Sequence, residues 1–319
     1  MMPLDAAATN LTSPPVLAFA LGAAATFLRG DLRFPDAIHT AITTYLLLAI
    51  GLKGGAQLSE SSLGEVWLPA VVAVGLGCCI PLWAYAGARQ FGKLSVADSA
   101  SMAAHYGSVS IVTFTAATAF ATASGREAEG FLPALVAMME IPGIIVALLV
   151  AARFGGGVQG AEAIREVVSG RGVLLLGGGL IIGFAAGTDG SKAIEPFFVA
   201  PFYGVLVLFL LEMGSTAAER FGEVRQAGAF LLGFGLAMPI LNGALGVIAG
   251  TLAGLSPEGA AILGAVAGSA SYIAAPAAVR IALPEANPGL SLTAALAITF
   301  PFNLIAGIPL FFLLADALG

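Results

Sequence analysis

Apolar runs of membrane-crossing length alternate with short polar connectors from one end of the chain to the other. Ten runs stand out, at about 14–29, 35–52, 65–88, 96–124, 130–153, 172–189, 194–215, 226–250, 257–282 and 291–316. Each is too apolar for a water-facing helix, and helices are the only open-ended elements that satisfy every backbone group within hydrocarbon. The longest polar stretch, FGGGVQGAEAIREVVSGR at 154–171, lies at the midpoint. On either side of it the runs correspond in order. GSVS at 107–110 in the fourth run is answered by GSAS at 268–271 in the ninth, and Ile141-Pro142 by Phe300-Pro301. A repeat with an odd number of spans must insert its second copy upside down. The expected fold is therefore an all-α polytopic membrane protein of ten transmembrane helices. They form two inverted five-helix repeats, 1–153 and 172–319, joined by the connector 154–171.

Charge placement tests that count. Lys and Arg collect on the cytoplasmic side of a membrane protein. With ten spans, one set of connectors holds Arg29, Arg33, Arg89, Lys93, Arg153, Arg165, Arg171, Arg220, Arg225 and Arg280, whereas the other holds only Lys53, Arg126 and Lys192. That split places both termini outside, in the periplasm of a bacterial inner membrane, and the midpoint connector in the cytoplasm. Composition agrees, with 58% of residues hydrophobic and 10% charged. A net charge of −6 and a pI near 4.9 leave no basic surface for nucleic acid. The start, MMPLDAAATNLTSPPV, has no basic residue ahead of the first run, so that run is expected to be retained. Cys78 and Cys79 are adjacent within an apolar run, which suits packing better than a disulfide or zinc site.

The chemistry lies in the two interruptions. Gly107 and Gly268 are positions where a helix can open. Ser108 and Ser110 can cap a helix restarting at Ile111, and Pro276 suits the first turn of another. Two half-helix starts meeting near the midplane carry free N–H donors and partial positive charge, a site for a small anion without any lysine or arginine. Its expected residues are Gly107, Ser108, Val109, Ser110, Gly268, Ser269, Ala270, Ser271 and Tyr272. Hydroxyl oxygens of Ser110, Thr113 and Ser271, with carbonyls freed at the breaks, suit sodium. Glu140 and Glu212 lie deep in spans, where a carboxylate is costly enough to be a functional candidate, here a cation ligand. His105 precedes the first break, and Asp98 near a span start reads as a cap. Gly and Ser within a span also serve close helix packing; repetition at matched positions favours the break. GSVS is not the G-x-S-x-G turn of a hydrolase, and no P-loop or dinucleotide fingerprint occurs. The pattern therefore points to transport rather than to an enzyme, and a channel or sensor is the alternative of another class.

The segments PDAIHTAITTYLLLAIGLKGG, YGSVSIVT, MEIPGIIVALLVA, VRIALPEANP and GIPLFFLLADAL resemble the sodium-dependent bicarbonate transporters first known from cyanobacteria, along almost the whole chain. The resemblance implies symport of sodium and bicarbonate between broken fourth and ninth helices, a core that moves against a gate, no cofactor, and a homotrimer. Gly107, Val109, Ser110 and Thr113 match the family's first break, and Ser269, Ser271, Ile273, Pro276 and Arg280 its second. Ser108 replaces an alanine of the family, and Tyr272 and Ala274 replace an aspartate and a serine. Glu140 keeps a family carboxylate; the acid missing at Thr216 has Glu212 one turn earlier on the same face. A small PII-like regulatory protein is a partner the resemblance implies, although the 154–171 connector is short for it. A sodium-coupled carrier of small organic anions on a related ten-helix plan is the alternative within transport.

Overall fold

The computed structural model describes residues 11–30, 32–155 and 160–319. Residues 1–10, at the start discussed above, and 156–159 of the midpoint connector lie outside the described residues. The protein is all-helical, with no strand among the described residues. The helices are α1 Pro14–Phe27, α2 Asp36–Leu58, α3 Leu63–Gln90, α4 Val96–Gly107, α5 Ile111–Ala123, α6 Leu132–Arg153, α7 Gly160–Val168, α8 Arg171–Ser191, α9 Glu195–Phe198, α10 Phe202–Glu219, α11 Phe221–Leu252, α12 Pro257–Ala267, α13 Ala274–Ala282 and α14 Pro288–Leu318. Among the described residues, seven helical stretches are long and apolar enough to cross a membrane: α2, α3, α6, α8, Glu195–Val224, Gly228–Leu252 and α14. The other apolar runs are the 14-residue α1 and the pairs α4–α5 and α12–α13, each pair being one expected span interrupted in its middle.

Starts and bends follow local chemistry. Ser62 and Glu65 form a reciprocal capping box at α3, and Ser95 and Ser256 accept N–H groups of the first turns of α4 and α12. Gly187 in α8 and Gly228 in α11 have φ of 65° and 80°, a bend that a residue with a Cβ resists. In α14 two π-helical turns, Ala294–Thr299 and Asn303–Gly307, flank Phe300-Pro301, because the proline removes one ladder N–H and crowds the preceding turn. Two ends differ from expectation. Helix α2 runs to Leu58, so Lys53 sits within it rather than in a connector. The midpoint connector contains α7, which packs on α13.

Helices pack in matching pairs: α2 on α8 and α10 on α1; α3 on α4 and α11 on α12; α3 on α6 and α11 on α14. The closest approaches use glycine against backbone. A Cβ at Gly22 would lie 1.8 Å from the Leu211 carbonyl oxygen, and one at Gly183 2.1 Å from that of Leu52. Likewise Gly214 meets the Phe19 carbonyl and Gly55 the Leu180 carbonyl, at 2.0 and 2.1 Å. No side chain fits at such contacts, and the small residue lets two backbones touch.

Polar contacts tie the connectors into two groups. At one end Arg33 pairs with Glu219 (2.6 Å) and Arg220 with Glu223 (3.2 Å), and the Asn287 N–H donates to Asp98 (2.7 Å). At the other, Arg126 joins Glu258 (2.6 Å) and Asp316, Ser256 donates to Glu129, and Thr188 donates to Glu60 (2.7 Å). Asp316 above all holds the Arg126 guanidinium above its ordinary pKa, with Glu258 adding to it and burial opposing. Asp98 is thus a bridge between the starts of α4 and α14 as well as a cap. Cys78 and Cys79 are free thiols.

Candidate functional site

Both interruptions occur where the sequence places them. Helix α4 stops at Gly107, Ser108 to Ser110 are extended, and α5 restarts at Ile111 with Ser110 as its cap, its hydroxyl accepting the Thr113 N–H at 3.2 Å. Helix α12 stops at Ala267. Helix α13 restarts at Ala274, two residues before Pro276, because the Ser271 hydroxyl accepts the Ala275 N–H at 3.3 Å. Ser110 and Ser271 therefore serve the same end of the two half-helices.

Gly107 and Gly268 act differently from expectation. Neither has a positive φ; each is a point of close approach. A Cβ on Gly107 would lie 2.5 Å from Cγ of Pro81 in α3, and one on Gly268 2.7 Å from the carbonyl oxygen of Pro239 in α11. From the other side α6 presses on the first break, since a Cβ on Gly143 would lie 1.9 Å from the Gly107 carbonyl oxygen. Asn303 of α14 holds the second, donating to the Gly268 carbonyl at 2.9 Å.

The two breaks touch. The Ser110 N–H donates to the Ser269 hydroxyl at 2.8 Å, and that hydroxyl donates onward to the Val266 carbonyl at 2.6 Å. The Ser271 N–H donates to the His105 carbonyl at 2.7 Å, while His105 returns a bond from Nδ1 to the Ser271 carbonyl at 2.6 Å. A carbonyl only accepts, so the proton of His105 is on Nδ1. All these groups are buried, where an unmade hydrogen bond costs about 1–3 kcal/mol. His105 is thus part of the framework that fixes the second break, and not a wall of the cleft.

Where the breaks meet there is a small cleft lined by Leu47, Val109, Ser110, Ile111, Glu140, Gly172, Ser271, Tyr272 and Ile273. It leaves ≈ 10 Å³ open to the centre of a water molecule, which is about one water. Of the expected residues, Val109, Ser110, Ser271, Tyr272 and Glu140 come together here. Ser108, Ser269 and Ala270 are buried in the breaks without lining the cleft, and the hydroxyls of Ser108 and Thr113 have no hydrogen-bond partner. One Glu140 oxygen is also buried without a partner. The Tyr272 hydroxyl is buried without a hydrogen bond of ordinary geometry, with Ser110 as a neighbour. A cleft with unsatisfied oxygens beside two helix starts offers polar partners to a small ion. A family model described as the Na+-dependent bicarbonate transporter superfamily matches residues 14–316.

The chain belongs to that superfamily. It is a multi-pass membrane protein of the transporter class, and at family level its ions are sodium and bicarbonate. No curated protein matches the chain. Glu212, expected as a cation ligand, does not line the cleft. It accepts a hydrogen bond from Nδ1 of His39 at 2.8 Å and ties α10 to α2. The sequence reading gave no role to His39, Gly172 or Asn303. Asn303, an amide inside an apolar run, was the readable signal among them, since a membrane span carries one only with a partner.

Proposed function

We propose that the protein is a secondary active transporter that takes up bicarbonate by symport with sodium across the bacterial inner membrane. The single observation that carries this reading is the junction of the two interrupted helices: Ser110 and Ser269 joined at 2.8 Å beside a cleft that also receives Ser271 and Glu140. Anion binding there falls to the hydroxyls of Ser110 and Ser271, at the positive ends of α5 and α13. Sodium falls to the oxygens of Ser110, Ser271, Thr113 and Glu140. Glu212, held by His39, is better suited to fastening α10 to α2 than to binding the ion. The cleft's small room favours inorganic ions over a bulky organic anion.

The same proposal takes the chain as ten spans in two inverted repeats, residues 1–153 and 172–319, with termini in the periplasm. Two facts support it. The glycine contacts recur in pairs, since Gly22 with Leu211 and Gly183 with Leu52 are one contact with the halves exchanged, as are Gly214 with Phe19 and Gly55 with Leu180. The connectors also sort into two ends in strict alternation when each interrupted helix counts as one crossing. By family resemblance the assembly is a homotrimer, with the connector 154–171 open to a PII-like regulator.

Labelled bicarbonate uptake, in cells without their own carbonic anhydrase or bicarbonate carriers, tests the reading. Uptake in sodium is expected to exceed uptake in choline at the same pH by at least tenfold. Equal uptake in the two salts would refute sodium coupling, and none in either would refute bicarbonate as the anion.

A further inference from the structure

A second and much larger cavity, ≈ 680 Å³, lies one helical turn further along the groove between α2 and α5. Leu47 and Ile111 line the cleft; Ile50, three residues on, and Phe114 and Thr115, three and four residues on, line this vestibule. Its volume falls in the range of sites for drug-sized ligands, about 300–1,000 Å³. It is also far larger than bicarbonate needs. One wall is aromatic, from Phe114, Phe198, Phe202 and Tyr203. Apolar residues, many of them alanine, line most of the remainder, with three threonines and four charged residues among them.

Its charges are not equivalent. Arg126 is committed to Glu258 and Asp316, and Glu129 accepts two hydrogen bonds from Ser256. Glu127 is exposed on the same connector as Arg126. Lys53 is exposed on the opposing helix α2, lines the vestibule, and has no ion pair among the described residues. Lys192, which belongs to the same end of the molecule, is held by Asp189 at 2.7 Å. A lone ammonium beside an aromatic wall is the complement of a flat organic carboxylate, whose charge and ring need those two partners.

We propose that the vestibule is a binding site for aromatic carboxylates, with the carboxylate on Lys53 and the ring on the Phe202–Tyr203 wall, and that its occupation blocks uptake. Lining residues come both from α9 and α10 and from α5 and α6, so a bound ring touches both groups and holds them in one arrangement. The blocking half rests on the transport reading; the binding half does not.

Equilibrium dialysis of labelled 1-naphthoate against the purified full-length protein tests binding directly. Saturable binding is expected, weakened about tenfold or more by Lys53→Gln and by Tyr203→Ala, kept within about twofold by Lys53→Arg, and not displaced by neutral 1-naphthamide. Absence of saturable binding, displacement by the amide, or indifference to Lys53→Gln would overturn the site. In cells, external 1-naphthoate is expected to inhibit bicarbonate uptake by the wild type at about tenfold lower concentration than by Lys53→Gln. Unchanged uptake at a saturating concentration would overturn blockage. Binding by a protein that takes up no bicarbonate would sink the transport reading and leave the site standing.

Discussion

Alanine at Gly143 is expected to cut sodium-driven uptake by roughly 5- to 100-fold with the protein still in the membrane. The added Cβ would lie 1.9 Å from the Gly107 carbonyl oxygen, 2.2 Å from its carbon and 2.7 Å from the Ser108 nitrogen. These are backbone atoms of the first break, so relief requires moving the break itself or pushing α6 away. Overpacking of this kind costs about 1–3 kcal/mol, and at about 1.4 kcal/mol per tenfold it lands in the stated range if the break absorbs the strain. Gly177→Ala on α8 is the control, because nothing lies within 4 Å of a Cβ there. The measurement is initial uptake at fixed surface amount for both variants. Equal uptake by the two would mean that α6 does not hold the break in place.

Ser269→Ala is expected to weaken binding of both ions by about the same factor, through the other half of the molecule. The Ser269 hydroxyl takes the Ser110 N–H and gives its own proton to Val266. Alanine leaves that N–H buried and unpaired, a cost of about 1–3 kcal/mol. The first break then loses one of its tethers to the second, although Ser269 is outside the cleft. Ser269→Thr, which keeps the hydroxyl, should restore most of the function. Half-saturating sodium and bicarbonate concentrations, with thermal unfolding of the purified variants, separate a displaced site from a merely destabilised protein. A Thr variant as weak as the Ala variant would show that the hydroxyl is not what matters.

The sequence was most informative where function depends on chain-local chemistry. GSVS and GSAS mark both breaks, and Ser110 can be read as a cap because its partner, the Thr113 N–H, is three residues away. Glu140 was legible from the cost of a carboxylate in an apolar run. What depended on the other half of the chain was not legible. The roles of Gly107 and Gly268 came from Pro81, Gly143 and Pro239, partners that local rules about backbone freedom do not reveal. Glu212 satisfied the same cost argument as Glu140, yet its cost is met by His39 on α2. The length of α2 was missed because Lys53 looked like the end of a span, whereas a lysine exposed to an open cavity does not interrupt a helix. The connector helix α7 was passed over because it is only nine residues long, although its apolar and polar positions alternate at helical spacing; it packs on α13.

The central claim is that Ser110 and Ser271 present their hydroxyls to the transported ions from matching places in two breaks. Both hydroxyls also accept an N–H of a half-helix's first turn, Ser110 as the N-cap of α5 and Ser271 from just ahead of α13, so alanine would confound two effects, an N-cap alone being worth about 0.5–2 kcal/mol. Glycine keeps a cap position to within a few tenths of a kcal/mol and still removes the hydroxyl. The decisive measurement is therefore the half-saturating concentration of sodium and of bicarbonate for Ser110→Gly and Ser271→Gly. Ser169→Gly, whose exposed hydroxyl bonds only the Arg165 carbonyl, is the reference, and surface amount is held equal. Loss of a hydrogen bond to a charged group costs about 1.5–3 kcal/mol, so each core variant is predicted to need roughly ten to a hundred times more of at least one ion. Half-saturation unchanged from the reference in both core variants would contradict the account and place the ions elsewhere.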